Sequence, residues 1–275
     1  MIQASATVQM LPFHVSQKEL LFWKEKFRID GRLNGQYPVY QRIAEQFSER
    51  FMHKQAAATY LRAASIAKSP DEKSELLKCA GQELYYHAFD WAALLGEKHK
   101  RFSWLHKNAY DGYADARRLR AKSFLHSGVL FFKAGYLDKA QESFEKAIGA
   151  FEDAAEDYAI GLGDRKTAGT LGSFALHAQG LLEKTKAEKI MQSARESGRT
   201  FEEECGRRIS ELGGKRDELA QRARDMIGKD DMSEMAVRMA LQHAIEEIKT
   251  IRKIANMEPM AEEKSNVIHL GKTGT

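Results

Sequence analysis

The chain has 275 residues, of which 43% are hydrophobic and 30% charged, and its net charge at pH 7 is +4. This composition is typical of a folded globular protein and excludes a disordered or low-complexity chain. No stretch approaches the roughly 18 apolar residues of a membrane-spanning helix, and no signal peptide is recognisable, so we expect a cytoplasmic protein. The mild positive charge tolerates an acidic partner but does not require one.

Residue usage predicts an all-α fold. Only four prolines occur, and none lies between Pro70 and Pro259, so long helices are permitted there. Valine and isoleucine are sparse beside alanine, leucine, glutamate and lysine, which favours helices over strands. No segment alternates apolar and polar residues for long enough to predict a sheet.

Residues 1–36 are predicted to form an N-terminal arm. Its large apolar residues predict a short helix that docks on the rest of the protein: Leu20, Leu21, Phe22, Trp23 and Phe27. From residue 37 the apolar residues recur at three- and four-residue spacings, first over 40–51 and then over 55–67. We therefore predict two short amphipathic helices joined by a tight turn, with Phe51 on the apolar stripe of the first. Ser69-Pro70-Asp71 should end this pair and cap the next helix.

Longer helices follow this first pair. The periodicity predicts helices over 71–96, 98–118, 119–134, 136–160, 166–184, 186–211, 215–227 and 232–256. Gly96 and Gly135 are expected to end helices, and Gly213–Gly214 is expected to break the pattern. We therefore divide the chain into the arm, a helical-hairpin repeat domain over 37–212, C-terminal helices over 213–257 and a flexible tail over 258–275.

One stretch, 121–148, has a recognisable internal order. A first helix carries two aromatic residues around a glycine, and a turn and a second helix follow: Phe124, Gly128, Phe131, Gly135, Ala140, Phe144 and Ala147. The small residues let two antiparallel helices approach closely, and the phenylalanines fill the gaps between neighbouring hairpins. We therefore expect Phe131 and Phe144 to be buried. This pattern resembles the tetratricopeptide repeat, although the family's proline after the second helix is missing.

Looser copies of the pattern occupy 37–70 and 168–194. Equivalent alanines lie 84 residues apart (Ala56 to Ala140), which is two units of 42, and 47 residues apart (Ala140 to Ala187). Both units exceed the family's period of about 34 residues. The resemblance implies stacked antiparallel helical hairpins in an irregular solenoid, followed by a C-terminal helical extension. A generic helical bundle with chance spacing is the alternative.

The resemblance also implies a function. In tetratricopeptide-repeat proteins the first helix of each hairpin lines a concave groove that holds a segment of another protein. Helical spacing over 119–134 would turn a mixed apolar and cationic strip toward that groove: Lys122, Leu125, Val129, Phe132 and Lys133. Such a strip suits a peptide with hydrophobic and acidic side chains, so a protein-binding adaptor or inhibitor is the leading hypothesis.

A concentration of basic residues in 98–122 indicates another possibility. Eight basic residues stand there against two acidic ones: Lys98, Lys100, Arg101, Lys107, Arg117, Arg118, Arg120 and Lys122. With its interleaved aromatic residues, such a patch can dock an acidic peptide or nucleic acid, and a nucleic-acid-binding protein is the first alternative. The segment 137–160 is mostly acidic, so mutual attraction of two solvated faces explains the same pattern without a partner.

No motif predicts a chemical reaction. Gly271-Lys272-Thr273 is similar to the end of a phosphate-binding loop, but Asn266 stands where that loop needs a glycine. Cys79 and Cys205 lack metal-ligand spacing and are expected to be reduced thiols packed on helices. The sequence therefore predicts no catalytic residue, metal site or cofactor. An enzyme whose site the sequence hides is the second alternative.

The helix predicted over 232–256 has a wide apolar face. Its members are Met232, Met235, Met239, Ile248 and Ile251, extended by Val237, Leu241 and Ile245. The last helix of a solenoid normally turns a polar face outward. We therefore hold three hypotheses open: the helix caps the preceding repeats, docks a partner, or pairs with its own copy in a homodimer.

Overall fold

A computed structural model of the chain describes residues 15–33, 36–102, 107–226 and 231–256, with side chains described except at 91–113 and 226–234. Its helices, in chain order, are α1 (Gln17–Lys26), α2 (Tyr37–Ser48), α3 (His53–Ile66), α4 (Pro70–Phe102), α5 (Lys107–Lys133), α6 (Leu137–Glu156), α7 (Arg165–Ser197), α8 (Phe201–Met226) and α9 (Asp231–Ala255). A π-helical turn, Asp157–Gly161, follows α6. The described ranges contain no strand, which confirms the all-α prediction.

A side-chain cap begins α4 where the sequence predicted it, and a second cap begins α7. The backbone N–H of Asp71 donates to Oγ of Ser69 at 3.3 Å, at the start of α4. Asp164 accepts the backbone N–H of Thr167 through Oδ1 at 3.0 Å, at the start of α7. Each bond satisfies an N–H group that has no partner inside the helix.

Several predicted helix ends are wrong, because the helices continue through them. Helix α4 runs past Gly96 to Phe102, and α8 runs through Gly213 and Gly214. Helix α5 is continuous from Lys107 to Lys133, although the sequence predicted that one helix would end at residue 118 and another would begin at residue 119. A glycine inside a helix costs about 1 kcal/mol relative to alanine, and the helix-forming residues that flank these glycines on both sides outweigh that cost.

The weakest predicted repeat copy, 168–194, is not a hairpin. Both of its predicted helices belong to α7, which is one helix of 33 residues. The turn comes later, at Gly198, whose φ is +65°. The sequence placed the turn too early because alanine spacing alone does not mark a helix end.

Consecutive helices from α2 to α7 pack side by side in antiparallel hairpins. Alternate helices also touch: the hydroxyl of Tyr37 on α2 donates to Glu72 on α4 at 2.6 Å, and Tyr85 on α4 donates to Glu142 on α6 at 2.6 Å. The stack therefore has two layers, one formed by α2, α4 and α6 and the other by α3, α5 and α7. This arrangement is the stacked-hairpin architecture that the sequence predicted.

A glycine permits a close approach of α5 and α6. A β-carbon at Gly128 on α5 would lie 2.6 Å from Cε1 of Phe144 on α6, which is shorter than the contacts that β-carbons make in proteins. Phe131 and Phe144 are 1% and 0% exposed, as predicted. The small residue on one helix therefore accommodates the large ring of the next.

The hairpins α2–α3 and α5–α6 close with the same turn. Met52 donates its backbone N–H to the carbonyl of Phe47 at 2.9 Å, and 84 residues later Tyr136 donates to Phe131 at 2.9 Å. The residue before each donor has a positive φ, +57° at Phe51 and +79° at Gly135. The two predicted repeat copies over 37–70 and 121–148 thus share their turn geometry as well as their spacing.

The contacts divide the chain into two compact units, Met1–Thr185 and Lys186–Thr275. The second unit has its own small apolar core, built from the end of α7 with α8 and α9: Ile190, Cys205, Ile251 and Ile254. Among the described residues, none of the helices combines the length and the apolarity needed to cross a membrane.

Candidate functional site

The strip that the sequence predicted on α5 lies against α7. Leu125 is buried in the core, and Val129 and Phe132 are partly buried against it. The ammonium group of Lys184 on α7 lies 5.7 Å from the centroid of the Phe132 ring. The strip is therefore a seam between two helices rather than an open groove, because its apolar members already have neighbours within the chain.

Of the two lysines of the strip, Lys122 is partly buried beside an aromatic ring, whereas Lys133 is exposed. Nζ of Lys122 is 5.8 Å from the ring centroid of Phe174 on α7. Burial lowers the pKa of Lys122 and of Lys133. Burial, together with the charge of Lys122, lowers the pKa of His126 to about 4, so this imidazole is neutral at pH 7. The seam therefore disfavours additional positive charge.

The predicted basic patch is only partly within the described side chains. Four of its residues lie outside them: Lys98, Lys100, Arg101 and Lys107. The other four contact groups of the same chain: Arg117 with Asp157 at 3.1 Å, Arg118 with Asp115 at 2.8 Å, Arg120 with the ring centroid of Phe124 at 5.6 Å, and Lys122 with the Phe174 ring as described above. The first of these pairs joins the basic and the acidic segment, which supports their mutual attraction.

A different surface exposes large apolar side chains together. Phe51, in the turn between α2 and α3, is 81% exposed, while Tyr86 and Phe89 on α4 are 46% and 42% exposed. The rings of His53 and Tyr85 connect them, with centroid distances of 5.5 Å from His53 to Tyr86 and 5.2 Å from Tyr85 to Phe89. We call Phe51, Tyr86 and Phe89 the aromatic patch.

The exposure of Phe51 contradicts the sequence prediction, which placed it on the buried stripe of the first helix. Helix α2 ends at Ser48, and the N–H of Phe51 donates to the carbonyl of Ser48 at 2.9 Å as the chain turns. The left-handed conformation of Phe51 directs its side chain away from the core. Glycine adopts this conformation without strain, whereas a residue with a β-carbon loses about 1–2 kcal/mol.

A buried hydrogen-bond network lies beneath the aromatic patch. Oε2 of Glu83 on α4 is 2.7 Å from Nδ1 of His53, and Ser48 donates its hydroxyl to Oε1 of Glu83 at 2.7 Å. His53 and Glu83 are 9% and 6% exposed. The network joins the end of α2 and the start of α3 to α4, so it fixes the turn that carries Phe51.

A second set of polar contacts fixes the other side of the patch. Lys146 on α6 donates to the hydroxyl of Tyr85 at 2.5 Å and to Glu142 at 2.9 Å, and its ammonium lies 5.1 Å from the ring centroid of Phe89. Partial burial opposes the charge of Lys146, but the hydrogen bonds to Tyr85 and Glu142 raise its pKa overall. The lysine is therefore charged, already paired, and held against the rings.

One sequence signal could have identified this surface. Aligning the two repeat copies at their 84-residue spacing places Phe51 opposite Gly135, where the turn needs a positive φ. A large apolar residue at a position that favours glycine is a departure that local structure does not explain.

No known protein family, characterised protein or solved structure matches the chain.

Proposed function

We propose that this protein is an adaptor or inhibitor that binds a segment of another protein on the aromatic patch. The observation that carries the proposal is Phe51, which is 81% exposed in a strained conformation where the equivalent turn has Gly135. Neither its burial nor its backbone contributes to stability. Strain of this kind concentrates at sites of binding and catalysis, where the rest of the fold sustains it.

The fixed geometry of the patch supports a binding role. The ring centroid of Phe51 lies 6.1 Å from that of His53, which Glu83 holds by a hydrogen bond, and the Tyr86 ring lies 5.5 Å from the same imidazole. Because the turn and the helix that carry these rings are held before a partner arrives, little backbone entropy is lost on binding. Exposed aromatic residues that share one surface are the usual centres of protein interfaces.

The charges around the patch favour an apolar protein segment over nucleic acid. Lys146, the cation that lies over the rings, already pairs with Glu142. Nucleic acid would need cations that can each pair with a phosphate. A helix or extended segment that presents aliphatic or aromatic side chains to Phe51 and Tyr86 requires no such cation.

We further propose that the hairpins α2–α3 and α5–α6 are copies of a tetratricopeptide-like repeat. Their support is the 84-residue correspondence of large and small residues, together with their common turn. A single helix, α4, lies between the two copies and contributes to the 84 residues that separate them. It also carries Tyr86 and Phe89, two of the three rings of the patch.

Affinity capture with matched variants tests the proposed function. We expect Phe51→Gly and Tyr86→Ala each to lose a protein that the wild-type chain retains, with at least a tenfold rise in the Kd of the purified pair. Leu176→Ala is the control, because Leu176 is 75% exposed on α7, away from the patch. Loss in all three variants, or capture that ends on nuclease treatment, would contradict the proposal.

A further inference from the structure

The two layers of the first unit carry opposite charges. In the layer of α3, α5 and α7, the described side chains include ten basic and two acidic residues, a net charge of +8 over three segments: 53–66, 114–133 and 165–185. In the layer of α2, α4 and α6 they include five basic and twelve acidic residues, a net charge of −7 over three segments: 37–48, 70–90 and 137–156. Histidines are counted as neutral. We call the positively charged layer the basic layer.

Attraction between the layers accounts for only part of this separation. Arg117 reaches Asp157, in the turn after α6, at 3.1 Å, whereas Arg118 pairs with Asp115 of its own helix. Six cations of the basic layer have no carboxylate within 4 Å among the described side chains: Arg62, Arg120, Lys122, Arg165, Lys166 and Lys184. The basic layer therefore keeps a positive charge that the described part of the chain does not neutralise.

The basic layer exposes little apolar surface. Within its described segments, the exposed large apolar side chains are Leu119, at 36%, and Leu176, at 75%. A protein interface needs an apolar centre, and a membrane-binding helix needs apolar groups that enter the lipid. Proteins that bind single-stranded nucleic acid use exposed aromatic rings on which bases stack, and none is exposed in these segments. Many cations with few acids and few apolar groups instead fit the phosphate backbone of a duplex.

We propose that the basic layer binds the phosphate backbone of duplex nucleic acid without reading its sequence. Three helices packed ~10 Å apart, with segments about 20–30 Å long, form a face on the order of 25 Å across. Such a face spans about seven base pairs of a duplex, which carries one phosphate charge per ~1.7 Å of its axis.

This site is separate from the aromatic patch. Tyr86 and Phe89 lie on α4, in the acidic layer, where a phosphate backbone would be repelled. The protein segment proposed above and a nucleic acid therefore occupy different surfaces of the same chain.

Fluorescence anisotropy with a labelled 20-base-pair DNA duplex tests the proposal on the full chain. We expect a Kd on the order of 1 µM at 50 mM salt, weakened about 100-fold at 200 mM, because roughly four phosphate contacts give a log–log slope of about −3.6. Duplexes of unrelated sequence should bind equally well. Phe51→Gly should bind the duplex like the wild type, so that this result does not depend on the proposed protein-binding function.

Charge-reversal variants locate the binding surface. Lys166→Glu/Lys184→Glu, at two exposed positions of α7, should raise the Kd at least tenfold and make the salt slope shallower by about 2. Arg42→Glu/Lys139→Glu is the matched control, because it makes the same change in net charge at exposed positions of the other layer. It should bind within about twofold of the wild type, since exposed charges farther apart than a Debye length of ~8–10 Å are largely screened. Circular dichroism establishes that each variant is folded.

Four results would overturn the proposal. They are no binding at 50 mM salt with up to about 100 µM protein, an affinity that does not change with salt, equal losses in both double variants, and binding of poly-glutamate as tight as that of the duplex. The last result would assign the layer to an acidic protein segment. Tighter binding to vesicles that contain phosphatidylserine would likewise assign it to a membrane surface instead.

Discussion

Phe51 and Gly135 occupy the same position in two hairpin turns that lie 84 residues apart, and both have a positive φ, +57° and +79°. The backbone N–H of each donates to the carbonyl three residues earlier, at 2.9 and 3.1 Å. The chain thus uses glycine in one turn, where nothing lies near the position of a β-carbon, and an exposed phenylalanine in the other. This difference between otherwise equivalent turns is the basis of the proposed binding surface.

The first prediction concerns the free energy of unfolding of Phe51→Gly. We expect a stabilisation of about 0.5–1 kcal/mol, because relief of the left-handed strain exceeds the extra backbone entropy of glycine in the unfolded chain. Urea denaturation measures it. Phe51→Ala is the control: it removes the ring but retains the β-carbon, so it should not be stabilised. A variant that is more stable than the wild type and yet fails to bind would separate function from folding at this residue.

The second prediction concerns the contact between Gly128 and Phe144. Phe144→Ala should destabilise the protein by about 3–5 kcal/mol, since the ring is fully buried. Gly128→Ala should destabilise it by ~1–3 kcal/mol despite the better helix propensity of alanine, because the new methyl group would overlap the ring.

Combining the two substitutions isolates this contact. In the Phe144→Ala background the methyl group at position 128 has room, so Gly128→Ala should be neutral or stabilising there. Thermal or urea denaturation of the four proteins measures the coupling. If the two changes in the free energy of unfolding simply add in the double variant, the contact with the Phe144 ring is not the reason that position 128 requires glycine.

The third prediction concerns the buried pair of His53 and Glu83. Glu83→Ala should destabilise the protein by about 3–5 kcal/mol, since it leaves His53 and the Ser48 hydroxyl buried without their acceptor. Glu75→Ala on the same helix is the matched control, because its ion pair with Lys78 and its hydrogen bond from Tyr136 are solvent-exposed and should contribute less than ~1 kcal/mol. Equal effects of the two substitutions would show that the buried network does not hold the α2–α3 turn to α4.

The fourth prediction is a pH dependence that arises from His126. Its pKa is about 4 in the folded chain, against 6.5 when unperturbed, so the unfolded state binds the proton more readily. The free energy of unfolding should therefore be unaffected by this residue above pH 6.5 and should fall by about 1 kcal/mol per pH unit between pH 6.5 and 4. His126→Gln should flatten the stability profile in this interval. An unchanged slope would show that His126 is not held neutral by its surroundings.

Local patterns in the sequence determined the helices and much of the core. The three- and four-residue spacing of apolar residues predicted the hairpins over 40–67 and 119–160, and the predicted buried aromatics Phe124, Phe131 and Phe144 are all 0–1% exposed. The turn at Gly135 and the cap at Ser69 could also be predicted from the sequence. These features depend on a residue and its neighbours within one or two helical turns, which is the range that periodicity reports.

The tertiary structure alone decided how those helices are used. The strip on α5 packs against α7, and Arg117 forms an ion pair with Asp157, 40 residues away in the sequence. Residues that the sequence assigned to a binding surface therefore have partners within the fold. Phe51 was predicted to be buried on the apolar stripe of the first helix, but it is exposed. Its backbone conformation directs the ring away from that helix. Spacing along the chain identifies which residues can share a face, but the packing of distant segments determines which faces stay open.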